Sequence, residues 1–261
     1  MPGVSFWCGA FDKRLPAFYN RKRKKKGCVV MQKTEEMLLR PIGRVVCPLK
    51  EKFGLPRQSG LASHLTGEIE LFPPYDQPES FRGIEMYSHL WILWGFSSLP
   101  EFEFSPTVRP PRLGGNRRVG VFATRSPFRP NPIGLTVVRF LGLEKKNGKT
   151  VLKIAGLDMQ DGTPVYDIKP YIPYADALPD ASGGFAEEHK DDRLTVIFDA
   201  PDRLTEEEKR ALEEILSLDP RPAYQEDPER LYGMSFGSYG VKFRVEGQTL
   251  IVCSITRQEK E

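Results

Sequence analysis

Several features that indicate common types of site are missing from this sequence of 261 residues. Its four cysteines are scattered without paired spacing. Its three histidines form no His-x-x-x-His pair and stand near no Gly-x-Ser-x-Gly motif. Cysteines without paired spacing are typical of a reducing compartment. We therefore predict a cytoplasmic protein without a structural metal, and nucleophilic catalysis is poorly supported.

Long hydrophobic runs are also missing. The longest, Leu90 to Phe96, ends within the length of one strand, whereas a helix that crosses a bilayer needs about 20 apolar residues. The amino terminus lacks the basic and then apolar layout of a secretory signal. The glycine-rich segment Gly114 to Gly120 lacks G-x-G-x-x-G spacing and precedes a strand pattern, which argues against a Rossmann dinucleotide site.

Positive charge is concentrated at the amino terminus. Residues 1–30 hold eight Lys or Arg and one Asp, which leaves 30 basic and 34 acidic residues, a net charge of about −4, from Met31 onward. A nucleic-acid partner would therefore have to bind a local basic patch. We expect residues 1–36 to form a disordered basic extension outside the fold. We place the natural beginning of the domain at Met31. The run Arg21 to Lys26 could instead be an RNA-binding arm or an import signal.

From residue 37 to 199 the pattern is rich in short β-branched and aromatic runs separated by Pro and Gly. Asn147-Gly148 between two such runs is a strong hairpin signal. Long helical periods are missing here, which favours a barrel or sandwich over a doubly wound sheet. The strands are expected at Ile42 to Val46, Glu68 to Phe72, Leu90 to Phe96, Val119 to Phe122, Leu135 to Leu141 and Val151 to Ile154.

Residues 200–261 follow a different pattern and predict a small α+β domain. Thr205 to Glu208 form a capping box before apolar residues at helical spacing, and two strands are expected around Gly247. Between the helix and these strands, Arg221 and Tyr224 lie on backbone that is stiffened by prolines. That combination suits phosphate contact and base stacking, although the same segment could simply end the helix.

Two dense polar stretches stand out within the β-rich part. Residues 119–135 place Arg125, Arg129 and Asn131 among three prolines, and residues 157–171 carry three carboxylates around a glycine turn. They could be surface loops whose charges pair with each other. A cationic and an anionic stretch of this kind together predict two walls of one ligand site.

These and other motifs resemble the TsaA-like, TrmO family from about Leu39 to the end of the chain, whereas residues 1–30 have no counterpart there. The resemblance implies an S-adenosylmethionine-dependent tRNA N6-methyltransferase with a β-barrel methyltransferase domain. It also implies a homodimer that acts on threonylcarbamoyl-adenosine at position 37 of threonine tRNA. The segments that carry it are Pro56 to Gln58, Ser88 to Ile92, Thr107 to Asn116, Thr124 to Gly134, Asp161 to Pro164, Asp167 to Tyr171 and Asp219 to Tyr224.

The resemblance also implies which residues hold S-adenosylmethionine, and no metal is needed. Arg125 can pair with the methionyl carboxylate, and backbone groups of Asp161 to Thr163 can reach an adenine edge or the ribose. Ser97-Ser98 departs from the His-Gln expected in a close relative. The implied cofactor residues are Pro56, Arg57, Gln58, Ser97, Ser98, Arg125, Leu135, Asp161, Gly162, Thr163 and Pro164.

For catalysis we predict that Asn131 or Asp167 polarises the N–H of the weakly nucleophilic target nitrogen. Asn131 stands in an Asx-Pro unit whose side-chain carbonyl can orient an exocyclic nitrogen. The alternative to an enzyme is a non-catalytic RNA-binding or cofactor-sensing protein of the same fold. The residues predicted to bind RNA are Arg109, Arg112, Arg117, Arg118, Arg129, Arg221 and Tyr224.

Overall fold

A computed structural model describes residues 37–96, 99–110, 117–201, 204–222 and 227–258. The predicted extension at residues 1–36 lies outside this part of the chain. The helices are α1 (Pro173–Asp176) and α2 (Glu206–Ser217), with short 3-10 turns at Pro78–Phe81, Ile84–Met86, Val121–Ala123 and Gly184–His189. The strands are β1 (Gly43–Val46), β2 (Thr66–Leu71), β3 (His89–Gly95), β4 (Thr107–Val108), β5 (Val119–Gly120), β6 (Ile133–Lys146), β7 (Lys149–Ala155), β8 (Pro164–Pro170), β9 (Thr195–Phe198), β10 (Tyr232–Phe236), β11 (Tyr239–Glu246) and β12 (Thr249–Arg257).

Six strands form a closed barrel in the order β1-β2-β7-β6-β3-β8, in which β8 pairs back onto β1. Neighbours around the ring are antiparallel, and side chains alternate between the interior and the outer face. On β3, for example, Leu90 and Ile92 are fully buried whereas Trp91 and Leu93 are only partly covered. The expected mainly β class is confirmed.

Local turn chemistry explains the long β6–β7 hairpin. Asn147 and Gly148 have φ angles of 51° and 80° and connect Lys146 to its partner Lys149, as a two-residue turn with left-handed backbone requires. The predicted hairpin is therefore confirmed. The strand expected at Val119 to Phe122 is wrong in its second half, because β5 ends at Gly120 and residues 121–123 form a 3-10 turn. The Phe122 side chain is 75% exposed there.

The C-terminal part is a four-stranded sheet in the order β10-β11-β12-β9, accompanied by helix α2. Thr205 and Glu208 form the expected capping box, and Leu212, Ile215 and Leu216 are buried. Strand β9, which precedes the proposed boundary at residue 200, pairs in parallel with β12 and so belongs to this sheet.

The loop between β1 and β2 packs against the C-terminal sheet and helix α2. The Phe53 ring stacks on Phe243 with centroids 6.2 Å apart, and Gly237 donates its backbone N–H to the carbonyl of Pro48. Glu214 on α2 accepts from the backbone N–H of His64 at 2.8 Å and lies 2.6 Å from its Nδ1. Barrel and sheet thus share one continuous core. Among the described residues, no helix is both long and apolar enough to span a membrane.

Candidate functional site

The antiparallel order of the barrel gathers three loops at one of its ends. Strands β1, β3 and β7 finish at this end, whereas β2, β6 and β8 begin there. The loops 47–65, 96–132 and 156–163 therefore emerge side by side. Within the described residues, these loops and the first residues of β6 and β8 hold every predicted cofactor residue.

Arg125 and Gln58 are in direct contact although they come from different loops. The Arg125 Nη1 donates to Gln58 Oε1, and the Gly60 amide donates to the carbonyl of Gly156 at 2.9 Å. Arg125 is exposed, whereas Gln58 is half-buried and Pro56 is buried. Loop 47–65 is thus joined to loop 96–132 by the Arg125–Gln58 bond and to loop 156–163 by the Gly60–Gly156 bond.

Beside this contact lies Asp158, a residue to which the sequence analysis gave no role. It is the third residue after the end of β7 and is flanked by the fully buried Leu157 and Met159. Thr136 Oγ1 donates to Asp158 Oδ1 at 2.7 Å, and Trp94 Nε1 donates to Thr136 Oγ1 at 2.9 Å. Burial raises the pKa of Asp158 above its ordinary value, although the bond from Thr136, the backbone of Asp158 and Ser59, and the charge of Arg125 act in the opposite direction. A carboxylate between two apolar residues at a strand end is the signal that could have singled it out.

The indole of Trp94 is seated over Gly134, within the Asn-Pro-Ile-Gly part of the cationic stretch. A Cβ atom at Gly134 would collide with the Trp94 ring. The absence of a side chain at 134 therefore lets the indole N–H reach Thr136, only two residues further along β6.

The turn Asp161 to Thr163 is tied into the barrel through its amides. Asp161, Gly162 and Thr163 donate to the carbonyls of Leu49, Val45 and Gln160 at 2.8, 2.8 and 3.2 Å. The Asp161 carboxylate accepts from the Cys47 amide at 2.9 Å and from Lys50 Nζ at 2.7 Å. The Thr163 carbonyl also accepts from the Val45 amide at 2.9 Å, so a ligand would meet this turn mainly through the carbonyl oxygens of Asp161 and Gly162.

The two predicted catalytic residues lie in different surroundings. Leu93 pairs with both Leu135 and Asp167, so these three side chains form one row across β6, β3 and β8 on the outer face. Asp167 is held locally, because its carboxylate pairs with Lys169 at 2.7 Å and accepts from the Ile168 amide at 2.9 Å. Asn131 is exposed near the start of β6.

Several predicted RNA-binding arginines lie in the loop 96–132, which emerges from the same end of the barrel. Arg109, Arg117 and Arg118 are exposed at the end of the β4–β5 ribbon. Arg129 lies over the exposed ring of Phe122, with its guanidinium carbon 5.8 Å from the ring centroid. Exposed arginines and an exposed aromatic ring within one loop are suited to phosphate contact and stacking.

Arg57 faces away from Gln58 and toward the C-terminal part. Its Nη2 donates to the carbonyl of Asp219 at 3.2 Å. The Asp219 carboxylate binds Arg221 through two bonds of 2.8 Å. These residues line a cleft of about 450 Å³ between the β1–β2 loop and the end of α2. Arg57 and Arg221 thus both bond to Asp219, Arg57 through its backbone carbonyl and Arg221 through its carboxylate.

Four predicted site residues lie outside the described part of the chain: Ser97, Ser98, Arg112 and Tyr224. In the part that is described, no group of three His, Cys, Asp or Glu residues is arranged to hold a metal ion.

Comparison with known proteins adds the family to this geometry. Residues 44–177 match the model of the tRNA-methyltransferase O N-terminal domain, and residues 193–258 match that of the TrmO C-terminal domain. The tRNA (adenine(37)-N6)-methyltransferase of Escherichia coli strain K12 is 46% identical over 78% of this chain and 91% of its own length. A Pseudomonas aeruginosa protein, whose name describes an S-adenosylmethionine-dependent methyltransferase, is 43% identical over 81% of this chain and 94% of its own.

Solved structures agree with the sequence matches. The crystal structure of TrmO from Pseudomonas aeruginosa superimposes with a TM-score of 0.68 at 33% identity, covering 85% of this chain and 100% of that one. Both domain models match in chain order, and the Escherichia coli and Pseudomonas aeruginosa relatives named above are covered over 91% and 94% of their own length. The chain therefore belongs to the tRNA-methyltransferase O family.

Proposed function

We propose that this protein transfers the methyl group of S-adenosylmethionine to N6 of adenosine 37 in tRNA. We further propose that the preferred base carries the threonylcarbamoyl group, as in threonine tRNA. The working form is proposed to be a homodimer. The Escherichia coli relative is named a tRNA (adenine(37)-N6)-methyltransferase, and the name of the Pseudomonas aeruginosa relative describes an S-adenosylmethionine-dependent methyltransferase.

The observation that carries the proposal is the contact of Arg125 with Gln58 at the end of the barrel where three loops converge. A guanidinium held in this position suits a carboxylate, which it can bind through two parallel hydrogen bonds. The donor set fits the methionyl end of S-adenosylmethionine. Arg125 would hold its carboxylate, while Gln58, Leu135 and the turn at 161–164 would hold the remainder.

S-adenosylmethionine, when bound, supplies the methyl group. The residues of this chain contribute mainly alignment, since holding two reactants in line can lower a barrier by roughly 7–11 kcal/mol in well-oriented systems. The outer row of Leu135, Leu93 and Asp167 extends from the proposed cofactor site along the barrel wall. It offers one continuous surface on which the target base could lie.

The target nitrogen must also lose a proton, and Asn131 and Asp167 are our candidates to polarise its N–H. Asp167 would act from within its pair with Lys169, whereas Asn131 is exposed beside the Arg125 loop. We expect Asn131→Ala or Asp167→Asn to lower kcat at saturating cofactor and tRNA. Wild-type turnover in both variants would remove these residues from the mechanism.

For tRNA binding we propose the arginines around the barrel end, namely Arg109, Arg117, Arg118 and Arg129, together with Arg112. On the C-terminal part, Arg221 and Tyr224 would contact the tRNA further from the target base. Arg221 is already neutralised by Asp219, and its side chain is only 14% exposed, so we expect a smaller contribution from it.

The dimer is supported by exposed apolar side chains beside the site. Phe104 and Phe122 are 49% and 75% exposed, and Leu135 is 55% exposed, in the segment that carries Arg125. Exposed aromatic groups of this kind are typical of an interaction surface. Sedimentation equilibrium at micromolar protein would test it, and a monomer that is fully active would exclude the dimer as the working form.

The decisive experiment is incubation of the protein with methyl-labelled S-adenosylmethionine and tRNA from cells with and without the threonylcarbamoyl modification, followed by nucleoside mass spectrometry. We expect label in N6-methyl-threonylcarbamoyl-adenosine, and only with modified tRNA. Label in plain N6-methyladenosine would keep the enzyme and change the substrate. Binding without transfer to either tRNA would identify a non-catalytic RNA-binding or cofactor-sensing protein.

A further inference from the structure

Asp158 lies within the proposed cofactor site. The proposed binding of a carboxylate by Arg125 gives this acidic residue no role. The residues around it are site residues or their immediate neighbours in the chain. Thr136, which bonds to it, follows Leu135, and the backbone of Ser59, which also interacts with it, follows Gln58. The charge of Arg125 acts on the same carboxyl group. Asp158 therefore belongs to the surroundings of the Arg125–Gln58 contact.

The hydrogen-bond chain that ends on Asp158 has a fixed direction. An indole N–H can only donate, so the hydroxyl of Thr136 accepts from Trp94 and gives its single proton to Asp158 Oδ1. Thr136 is 1% exposed and Trp94 is 8% exposed, so packing holds both donors in place. Asp158 is thus oriented as a hydrogen-bond acceptor by a rigid and nearly dry support.

The charge of this carboxylate is incompletely compensated in the described part of the chain. Asp158 makes no direct ion pair there, and Arg125 acts on it through space while its guanidinium bonds to Gln58. A carboxylate shielded from water is stabilised by a cation that binds against it. A positively charged ligand group next to Asp158 would therefore complete this compensation.

The methionyl end of S-adenosylmethionine carries a carboxylate and an ammonium group on one carbon atom. A protein that binds such a zwitterion must offer a cation and an acceptor anion close together. An ammonium group has three N–H donors and no acceptor, so a fixed carboxylate suits it. Arg125 and Asp158 provide this complementary pair from two of the three loops.

We propose that Asp158 binds the α-ammonium group of the cofactor while Arg125 binds its α-carboxylate. The inference rests on the proposed use of S-adenosylmethionine, and it adds the residue that recognises the amino group. It makes Asp158 a cofactor-binding residue, with Thr136 and Trp94 as the residues that position it.

The test compares two ligands in the full-length protein by titration calorimetry without tRNA. One is S-adenosylhomocysteine, and the other is its analogue in which hydrogen replaces the amino group. Asp158→Asn keeps an oxygen that accepts from Thr136 but removes the charge. We expect this variant to bind S-adenosylhomocysteine about 10- to 100-fold more weakly, the range for one charge-assisted hydrogen bond, and to bind the analogue within about twofold of wild type.

Asp161→Asn is the matched control, because it is the same change in the same loop. Its carboxylate is engaged by Lys50 and Cys47, so we expect it to affect the two ligands equally. Asp158→Glu retains the charge and should retain the preference for the amino-bearing ligand even if both bind more weakly. Circular dichroism at the titration temperature confirms that each variant is folded.

The outcomes separate this inference from the proposed function. If Asp158→Asn weakens both ligands equally, or neither, Asp158 does not bind the ammonium group, and the methyltransferase proposal is untouched. If wild-type protein binds neither ligand, the use of S-adenosylmethionine itself fails. A loss confined to the amino-bearing ligand, restored in part by Asp158→Glu, supports the inference.

Discussion

Arg125 is the side chain on which the proposed cofactor site depends most directly. Its guanidinium bonds to Gln58 while it remains exposed to a ligand. A lysine keeps the charge but loses the planar pair of donors that a carboxylate requires. We expect Arg125→Lys to weaken S-adenosylhomocysteine binding about tenfold or more, the loss of a charge-assisted bond, as measured by titration calorimetry.

Arg139→Lys is the control for this change, because Arg139 is an exposed arginine in the middle of β6, where it pairs with His89 at the start of β3. It should bind the ligand as wild type does. Equal affinity in Arg125→Lys would mean that the guanidinium does not hold the cofactor.

Cys47 illustrates how the same loops affect a group without a catalytic role. Burial, together with the charge of Asp161, raises the pKa of its thiol from 9.0 to about 12. We expect iodoacetamide at pH 8 to leave Cys47 unmodified in the native protein and to modify it after unfolding, as peptide mass spectrometry would show. Alkylation of Cys47 in the native state at the rate of an exposed thiol would contradict its burial.

The raised pKa of Cys47 makes the free energy of unfolding depend on pH in the alkaline range. The unfolded thiol ionises near pH 9.0, whereas the folded thiol ionises only near pH 12. The contribution of Cys47 is therefore fully present below pH 9 and is lost as the pH rises from about 9 to about 12. In Cys47→Ser this particular loss of stability in alkali should disappear.

Among the strands, the β3–β6 pairing connects the fold to the site. Trp94 lies against Gly134, which it also faces in the strand register. We expect Gly134→Ala to displace the indole, with a loss of about 1–3 kcal/mol of stability, as for other overpacked positions. Urea unfolding would measure the loss.

The same substitution should weaken S-adenosylhomocysteine binding, because the bonds from Trp94 through Thr136 to Asp158 would be disturbed. Gly120→Ala is the matched control. Gly120 has a φ of −58° and open space where a Cβ would stand, so alanine should change stability and binding little. Equal behaviour of the two variants would contradict the close approach at Gly134.

Across the full structure, the distribution of charge determines how tRNA could be bound. From Met31 onward the chain has a net charge of about −4, so binding must depend on the local arginines around the barrel end. If Arg109, Arg117 and Arg118 contact phosphates, replacing all three with Gln should lower the salt slope of log K by about 2–3, at roughly 0.9 per contact. Filter binding at several salt concentrations measures this slope.

A control for this variant is Lys145→Gln, in the β6–β7 hairpin at the opposite end of the barrel. It should leave both affinity and salt slope unchanged. If the triple variant has the wild-type slope, the tRNA does not cross the β4–β5 ribbon.

Much of the fold follows from patterns that span only a few residues. The mainly β class, the Asn147-Gly148 hairpin and the capped helix α2 were predictable, because backbone preference and side-chain alternation operate locally. The Val121–Ala123 turn was not predictable in this way. Its residues have strand-like character but meet no partner strand, and pairing is a long-range property.

The composition of the site depends on the local sequence and on the tertiary structure. Residue types and spacing, with the family resemblance they carry, were enough to select Arg125, Gln58 and the turn at 161–164. Only the tertiary structure brought three loops from distant parts of the chain to one end of the barrel, buried the neighbours of Asp158, and placed Arg57 against the carbonyl of Asp219. Burial, charge compensation and hydrogen-bond direction arise from which segments become neighbours, and that depends on strand register around the whole ring.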